Sequence, residues 1–182
     1  GKIKLKQDGS ISEVWKVMNK MVNNGKAKAV GVSNFTISKL ESLISATGLV
    51  PAVNQVELHP YLPQNELLQY CKSKGILVEA YSPLGAGKEP KLLDDETVNS
   101  IAKEEGLTSA QVLISWALMR DTVPLVRTSK VERIPENLNV KPLSEKSMAA
   151  INSITKRHRY IDPVQWAGHQ VFDDTAQPER KI

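Results

Sequence analysis

What most constrains this chain is an alternation: short apolar runs of strand character recur between longer segments of helical periodicity. Ser10 can cap a segment in which Ile11, Val14, Trp15, Met18 and Val22 fall at helical spacing, and Gly25 is placed to end it. Ala29, Val30, Gly31 and Val32 then read as a buried strand. After Ser33, Asn34 and Phe35, residues 36–46 carry Ile37, Leu40, Leu43 and Ile44 on one helical face. The unit repeats with a strand over 52–57, a helix from the cap Asn65 to before Gly75, and a strand over 76–81. Helices follow near 94–105 and 109–120, separated at Gly106 and Thr108. A short strand over 123–126 includes Pro124, and helical segments near 131–138 and 144–156 close the pattern.

Four strands separated by helices predict parallel pairing with right-handed crossovers and helices over the sheet, an α/β class. A doubly wound sheet and part of an eight-stranded (β/α)8 barrel both fit. A full barrel takes about 250 residues, so four units in 182 residues correspond to half of one. No linker or low-complexity segment divides the chain, which sets the expectation of one domain over 1–182. The start at Gly1 rather than Met fits a fragment or a processed chain.

Composition excludes several functions. At 41% hydrophobic and 24% charged, the chain sits near the averages of soluble globular domains. No apolar run approaches the roughly 20 residues that span a bilayer, and no secretory signal opens the sequence, so a cytoplasmic protein without membrane partners is expected. The net charge of +4 is spread out, and the basic runs at 2–6 and 156–159 are short and lack interleaved aromatics. Nucleic acid is therefore not expected as a partner. The single cysteine, Cys71, lies in a helical run and reads as a packed thiol.

Ligands of parallel α/β folds meet the C-terminal ends of the strands, where the loops are free to vary. Those ends carry Ser33 and Asn34, then Gln55 and Glu57, then Tyr81 and Ser82, then Arg127, Thr128 and Ser129. Each group has a bland reading beside the functional one. Ser33 and Asn34 could satisfy free N–H groups at the next helix start. Gln55 and Glu57 share a face and could bond one another across strands, and Tyr81 could be ordinary packing. Arg127 and Thr128, ahead of a helix beginning near 131, resemble a phosphate cradle. No Gly-rich dinucleotide or phosphate loop and no His-x-x-x-His pair occurs. His59, His158 and His169 lie far apart, so no metal site is expected and His59 reads as structural. Asp94 with Asp95 and Glu104 with Glu105 sit at a helix start and on a solvated face.

At these strand ends the chain resembles the aldo-keto reductase family. Residues 31–35 (Gly-Val-Ser-Asn-Phe), 54–61 (Asn-Gln-Val-Glu-Leu-His-Pro-Tyr) and 80–85 (Ala-Tyr-Ser-Pro-Leu-Gly) look like three successive family motifs. Val126, Arg127 and Thr128, then Arg133 and later Glu136 and Asn137, are similar to the fourth, which usually begins Pro-Lys-Ser. The resemblance implies an NADPH site in which Ser33, Asn34 and Gln55 bond the nicotinamide carboxamide and Tyr81 stacks on its ring. It implies that residues 82–86, with Ser82, Leu84 and Ala86, cover the pyrophosphate. Arg127, Thr128 and Arg133 would take the 2′-phosphate, Ser129 belongs to the same cofactor-binding set, and Glu136 and Asn137 would hold adenine. Charge-assisted Arg contacts suit a dianionic phosphate, so NADPH is expected over NADH.

The family's catalytic Tyr, Lys, Asp and His lie on the first four barrel units, and this chain begins within the connection before the fifth strand. No catalytic residue is therefore assigned in it. With the other half present, the implied activity is reduction of a small aldehyde or ketone; alone, the chain is expected to be inactive. A non-catalytic nucleotide-binding or partner-binding relative is the competing reading. The stretch at 160–174, with Trp166 and Phe172, looks like the family's specificity loop. The sequence specifies neither the carbonyl compound nor an oligomeric state.

Overall fold

The computed structural model describes residues 10–162 together with 171 and 172; Trp166, His169 and the basic run at 2–6 lie outside the described residues. The elements run α1 (Ile11–Asn23), β1 (Val32–Ser33), α2 (Ile37–Thr47), β2 (Val53–Glu57), α3 (Asn65–Ser73), β3 (Leu77–Tyr81), α4 (Glu96–Glu105), α5 (Ser109–Leu118), β4 (Thr122–Leu125), α6 (Arg133–Leu138) and α7 (Glu145–Asn152). The four strands form one parallel sheet in the order β1-β2-β3-β4, and Ser33 pairs in register with Gln55.

The helices begin where the sequence offers a cap. Ser10, Thr36, Asp95, Thr108 and Ser144 each accept a hydrogen bond from a backbone N–H of the first turn, and Thr108 with Gln111 forms a reciprocal capping box. Gly48 and Gly106 close α2 and α4 in the left-handed conformation. The strand expected over 29–32 is reduced to Val32–Ser33. Before it, Gly31 lies so close to β2 that a Cβ there would stand 2.7 Å from the Val53 carbonyl oxygen.

Contacts divide the described chain into two compact units, residues 10–56, 65–78, 162 and 171–172 in the first and 57–64 and 79–161 in the second. In the first, α1 packs on α2, and the Trp15 indole donates to the Leu49 carbonyl at 3.1 Å. Trp15, Leu40, Leu43, Val56, Leu67, Cys71, Ile76, Val78 and Phe172 are its buried apolar residues among those described. Of the apolar residues at helical spacing in α1 only Trp15 is buried, while Ile11, Val14 and Met18 are exposed. Periodicity gave the helix correctly; α2 takes only the Trp15 edge of its apolar stripe.

In the second unit α5 is central, buried on all sides from Gln111 to Ala117. It packs against α4, α6 and β4, and α4 also contacts α7. Helix α5 accordingly reads as nearly continuous apolar sequence rather than as a striped surface helix. Among the described residues, no helix is long and apolar enough to cross a membrane.

Candidate functional site

In the first unit the end of β1 and its partner on β2 make a compact polar group. The Ser33 hydroxyl donates to the Gln55 carbonyl at 3.0 Å, and the Asn34 N–H donates to the same oxygen at 2.9 Å. Asn34 has φ 60, a left-handed conformation that Asn tolerates better than most residues, so the chain turns there. Asn54 secures the turn. Buried and alternating with Gln55 along β2, it donates through Nδ2 to the Phe35 carbonyl at 2.9 Å and accepts from the Phe35 N–H at 3.4 Å.

The bland reading of Ser33 and Asn34 as helix caps is corrected here, because Thr36 caps α2 by accepting from the Lys39 N–H. Asn54 is a positioning residue that sequence reasoning missed; its only signal was an amide side chain on the inward phase of a strand. Asn54 also hydrogen-bonds Cys71, whose thiol burial pushes up against the lowering effect of that bond. Cys71 is the packed thiol expected.

The second unit holds the remaining expected residues. Tyr81, half-buried, ends β3. Burial pushes its phenol up to about 12, the nearby Glu57 charge adds to this, and Arg159 and a backbone hydrogen bond from Glu57 oppose it. The loop after it is folded on left-handed residues: Ser82 at φ 51, Gly85 at φ 82 and Ala86 at φ 55, with Leu84 between them. The Gly85 N–H donates to the Ser82 carbonyl at 3.0 Å. Gly85 has no room for a side chain, since a Cβ would meet Leu92 at 2.9 Å and the Tyr160 ring at 3.2 Å.

After β4 come Arg127, Thr128 and Ser129, then α6 with Arg133, Glu136 and Asn137. The Arg127 and Arg133 side chains are exposed, and no described residue accepts a hydrogen bond or ion pair from either guanidinium. The Thr128 hydroxyl is engaged in its own turn, accepting from the Lys130 N–H at 3.1 Å and donating to the Lys130 carbonyl at 3.2 Å. Helix α6 begins at Arg133 rather than near 131.

A fully buried polar group in the second unit belongs to Glu57. Its carboxylate is fully buried; Oε1 accepts from the Tyr160 N–H at 2.6 Å and from His59 Nε2 at 2.9 Å, and Oε2 accepts from the Ile161 N–H at 2.9 Å. A carboxylate acceptor requires the proton on Nε2, which leaves His59 Nδ1 buried without a partner among the described residues. The His59 and Tyr160 rings meet edge-on, 4.9 Å between centroids. These bonds stand in place of the Gln55 pairing that was the bland reading of Glu57, and they agree with a structural His59. Among the described residues, no group of three or more His, Cys, Asp or Glu could hold a metal ion.

A family model described as the aldo/keto reductase family matches residues 4–156. The chain belongs to that family. It is similar to an aldo/keto reductase of Synechocystis, 42% identical over 168 residues that are 86% of this chain and 51% of the relative. A glycerol 2-dehydrogenase (NADP(+)) of Saccharomyces cerevisiae is 44% identical over 165 residues, 88% of this chain and 52% of its own. An aldo/keto reductase structure from Brucella melitensis superposes with a TM-score of 0.72 at 34% identity, covering 78% of this chain and 53% of that one. The chain spans about half the length of the curated aldo/keto reductases it matches. Part of an α/β barrel, the fold class read from the sequence, is borne out by these structural relatives.

Proposed function

We propose that this chain is the NADPH-holding part of an aldo/keto reductase that reduces small aldehydes or ketones to alcohols. The observation that carries the reading is the pair of exposed guanidinium groups, Arg127 and Arg133, that no described residue engages, in a chain of this family. Their chemistry fits the group in question, because planar guanidinium donors meet a phosphate dianion through paired hydrogen bonds. Two relatives in Saccharomyces cerevisiae, one named aldehyde reductase and one named glycerol 2-dehydrogenase (NADP(+)), support the reaction class and the cofactor type.

When bound, the dihydronicotinamide supplies hydride to a carbonyl carbon. The chain's own residues would do the holding. Ser33, Asn34 and Gln55 would orient the carboxamide, and Tyr81 would offer an aromatic face to the ring. Residues 82–86 would cover the pyrophosphate with backbone already set in left-handed turns. Arg127, Thr128, Ser129 and Arg133 would take the 2′-phosphate, and Glu136 and Asn137 the adenine. Thr128 would have to redirect its hydroxyl proton from the Lys130 carbonyl to serve there.

No residue of the chain is assigned to donate a proton to the carbonyl oxygen, so the chain alone would bind cofactor without turning over. Fluorescence titration of the chain with NADPH and NADH tests the first part, and tighter binding of NADPH is expected. Equal affinity for the two, or binding of neither, would overturn it. An aldehyde assay tests the second: NADPH oxidation at an enzyme-like rate by the purified chain contradicts the assignment of its proton donor elsewhere.

A further inference from the structure

The Glu57 carboxylate accepts hydrogen bonds from three donors of its own chain, and it is not among the residues proposed to hold the cofactor. Its three hydrogen-bond donors nevertheless come from two distant stretches of sequence. His59 is two residues away, whereas the Tyr160 and Ile161 N–H groups are 103 and 104 residues away. A buried charge is tolerated only where donors replace the water it has lost. Two of the three replacements are consecutive main-chain amides of the C-terminal segment, so the charge and the docking of that segment depend on one another.

We infer that Glu57 is a positioning residue whose carboxylate clasps the Tyr160–Ile161 peptide and so fixes the place of that segment in the second unit. The surroundings are built for this. The Leu58 N–H donates to the Tyr81 carbonyl at 3.3 Å, tying the Glu57 backbone to the end of β3. The Gln64 side chain donates to the Glu57 carbonyl at 3.0 Å, and the His158 N–H donates to the Tyr61 carbonyl at 3.0 Å. The Tyr160 ring lies against His59 on one side and against the space that Gly85 leaves open on the other, and its hydroxyl donates to the Pro90 carbonyl. With both its main chain and its side chain held, Tyr160 is a fixed point, and Glu57 is the charged part of the grip.

The carboxylate does something that an amide of the same size does not. Glu57 accepts at both oxygens, and all three partners are donors. A glutamine would present an NH2 group, which only donates, to at least one of these N–H groups. Glu57→Gln therefore weakens the grip while keeping shape, and a loss of one charge-assisted bond amounts to about a tenfold or larger change in the local opening equilibrium.

Amide hydrogen exchange on the full 182-residue chain reads this directly. In Glu57→Gln, protection at the Tyr160 and Ile161 amides should fall by about tenfold or more, while amides within α5 keep theirs. Unchanged protection at Tyr160 and Ile161 would overturn the inference. If the variant loosens α5 equally or does not fold, the wild-type chain decides. There the Tyr160 and Ile161 amides should exchange at least about tenfold more slowly than those of Lys156 and Arg157, which have no backbone acceptor among the described residues. Exchange as fast as at those two positions would overturn the inference equally.

Discussion

Gln111 on α5 reaches the backbone of Glu136 on α6: its Nε2 donates to the Glu136 carbonyl at 2.9 Å and to the Asn139 carbonyl at 2.8 Å. Its Oε1 meanwhile accepts from the Thr108 N–H at 2.9 Å, so one buried amide caps α5 and holds the end of α6. Gln111→Leu removes all three bonds at a site with little access for water. Stability should fall by about 2–4 kcal/mol, since unmet buried polar groups cost about 1–3 kcal/mol each and some will find water. Urea denaturation, compared with an exposed control such as Glu104→Gln, measures it.

Two glycines should respond differently to the same substitution. At Gly31 a Cβ would stand 2.7 Å from the Val53 carbonyl oxygen and 2.9 Å from the Val53 Cβ, so Gly31→Ala must push β1 from β2, at about 1–3 kcal/mol. At Gly48 the space is open and only the left-handed φ of 69 opposes a side chain, so Gly48→Ala should cost about 1 kcal/mol. Thermal melts of the two variants rank them. An equal or reversed order would mean that the sheet edge yields freely at Gly31.

Much of this architecture was legible in the sequence because its signals are local. The strands β2 and β3 start one residue after the positions their apolar runs gave, and α4 and α5 are separated at Gly106 and Thr108, where the sequence placed the break. What stayed hidden depends on partners distant in sequence. Glu57 looked like a face-mate of Gln55, whereas its donors Tyr160 and Ile161 lie more than a hundred residues away, beyond the reach of any periodicity. Asn54 hid for the same reason, since nothing in a strand pattern says that an inward amide will close a turn at Phe35. The stripe on α1 gave the helix but not its covering, because period reports which residues share a face and not what packs there.

Acid should reveal Glu105. Its carboxylate accepts from the Ser144 N–H at 2.9 Å and the Ser147 hydroxyl at 2.7 Å, and lies 3.5 Å from Lys141. These bonds, the Ser144 backbone N–H foremost, hold its pKa down to about 2. A folded value below the unfolded one, about 4.3, means the ionised group stabilises the fold above pH 4.3. That stabilisation drains away as pH falls toward 2. Urea midpoints of wild type and Glu105→Gln should therefore differ at pH 7 and converge between about pH 4.3 and 2. A constant gap would remove Glu105 from the acid response.

Cofactor preference should depend on Arg133. If its guanidinium meets the 2′-phosphate, Arg133→Ala should weaken NADPH by roughly tenfold to a hundredfold, the effect of losing one contact of about 1.5–3 kcal/mol, and leave NADH nearly unchanged. Fluorescence titration with both cofactors decides, and equal weakening of the two would make Arg133 an ordinary solvated helix residue.

Helix α6 has six residues and none of them is buried; Ile134 and Leu138 are 48% and 76% exposed. Gln111 grips it by carbonyl oxygens, which every amino acid carries alike. The attachment is therefore indifferent to spelling. Residues 133, 136 and 137 can be rewritten without loosening the helix from α5, so the chemistry displayed on this surface is free to drift, or to be engineered, independently of the fold beneath it.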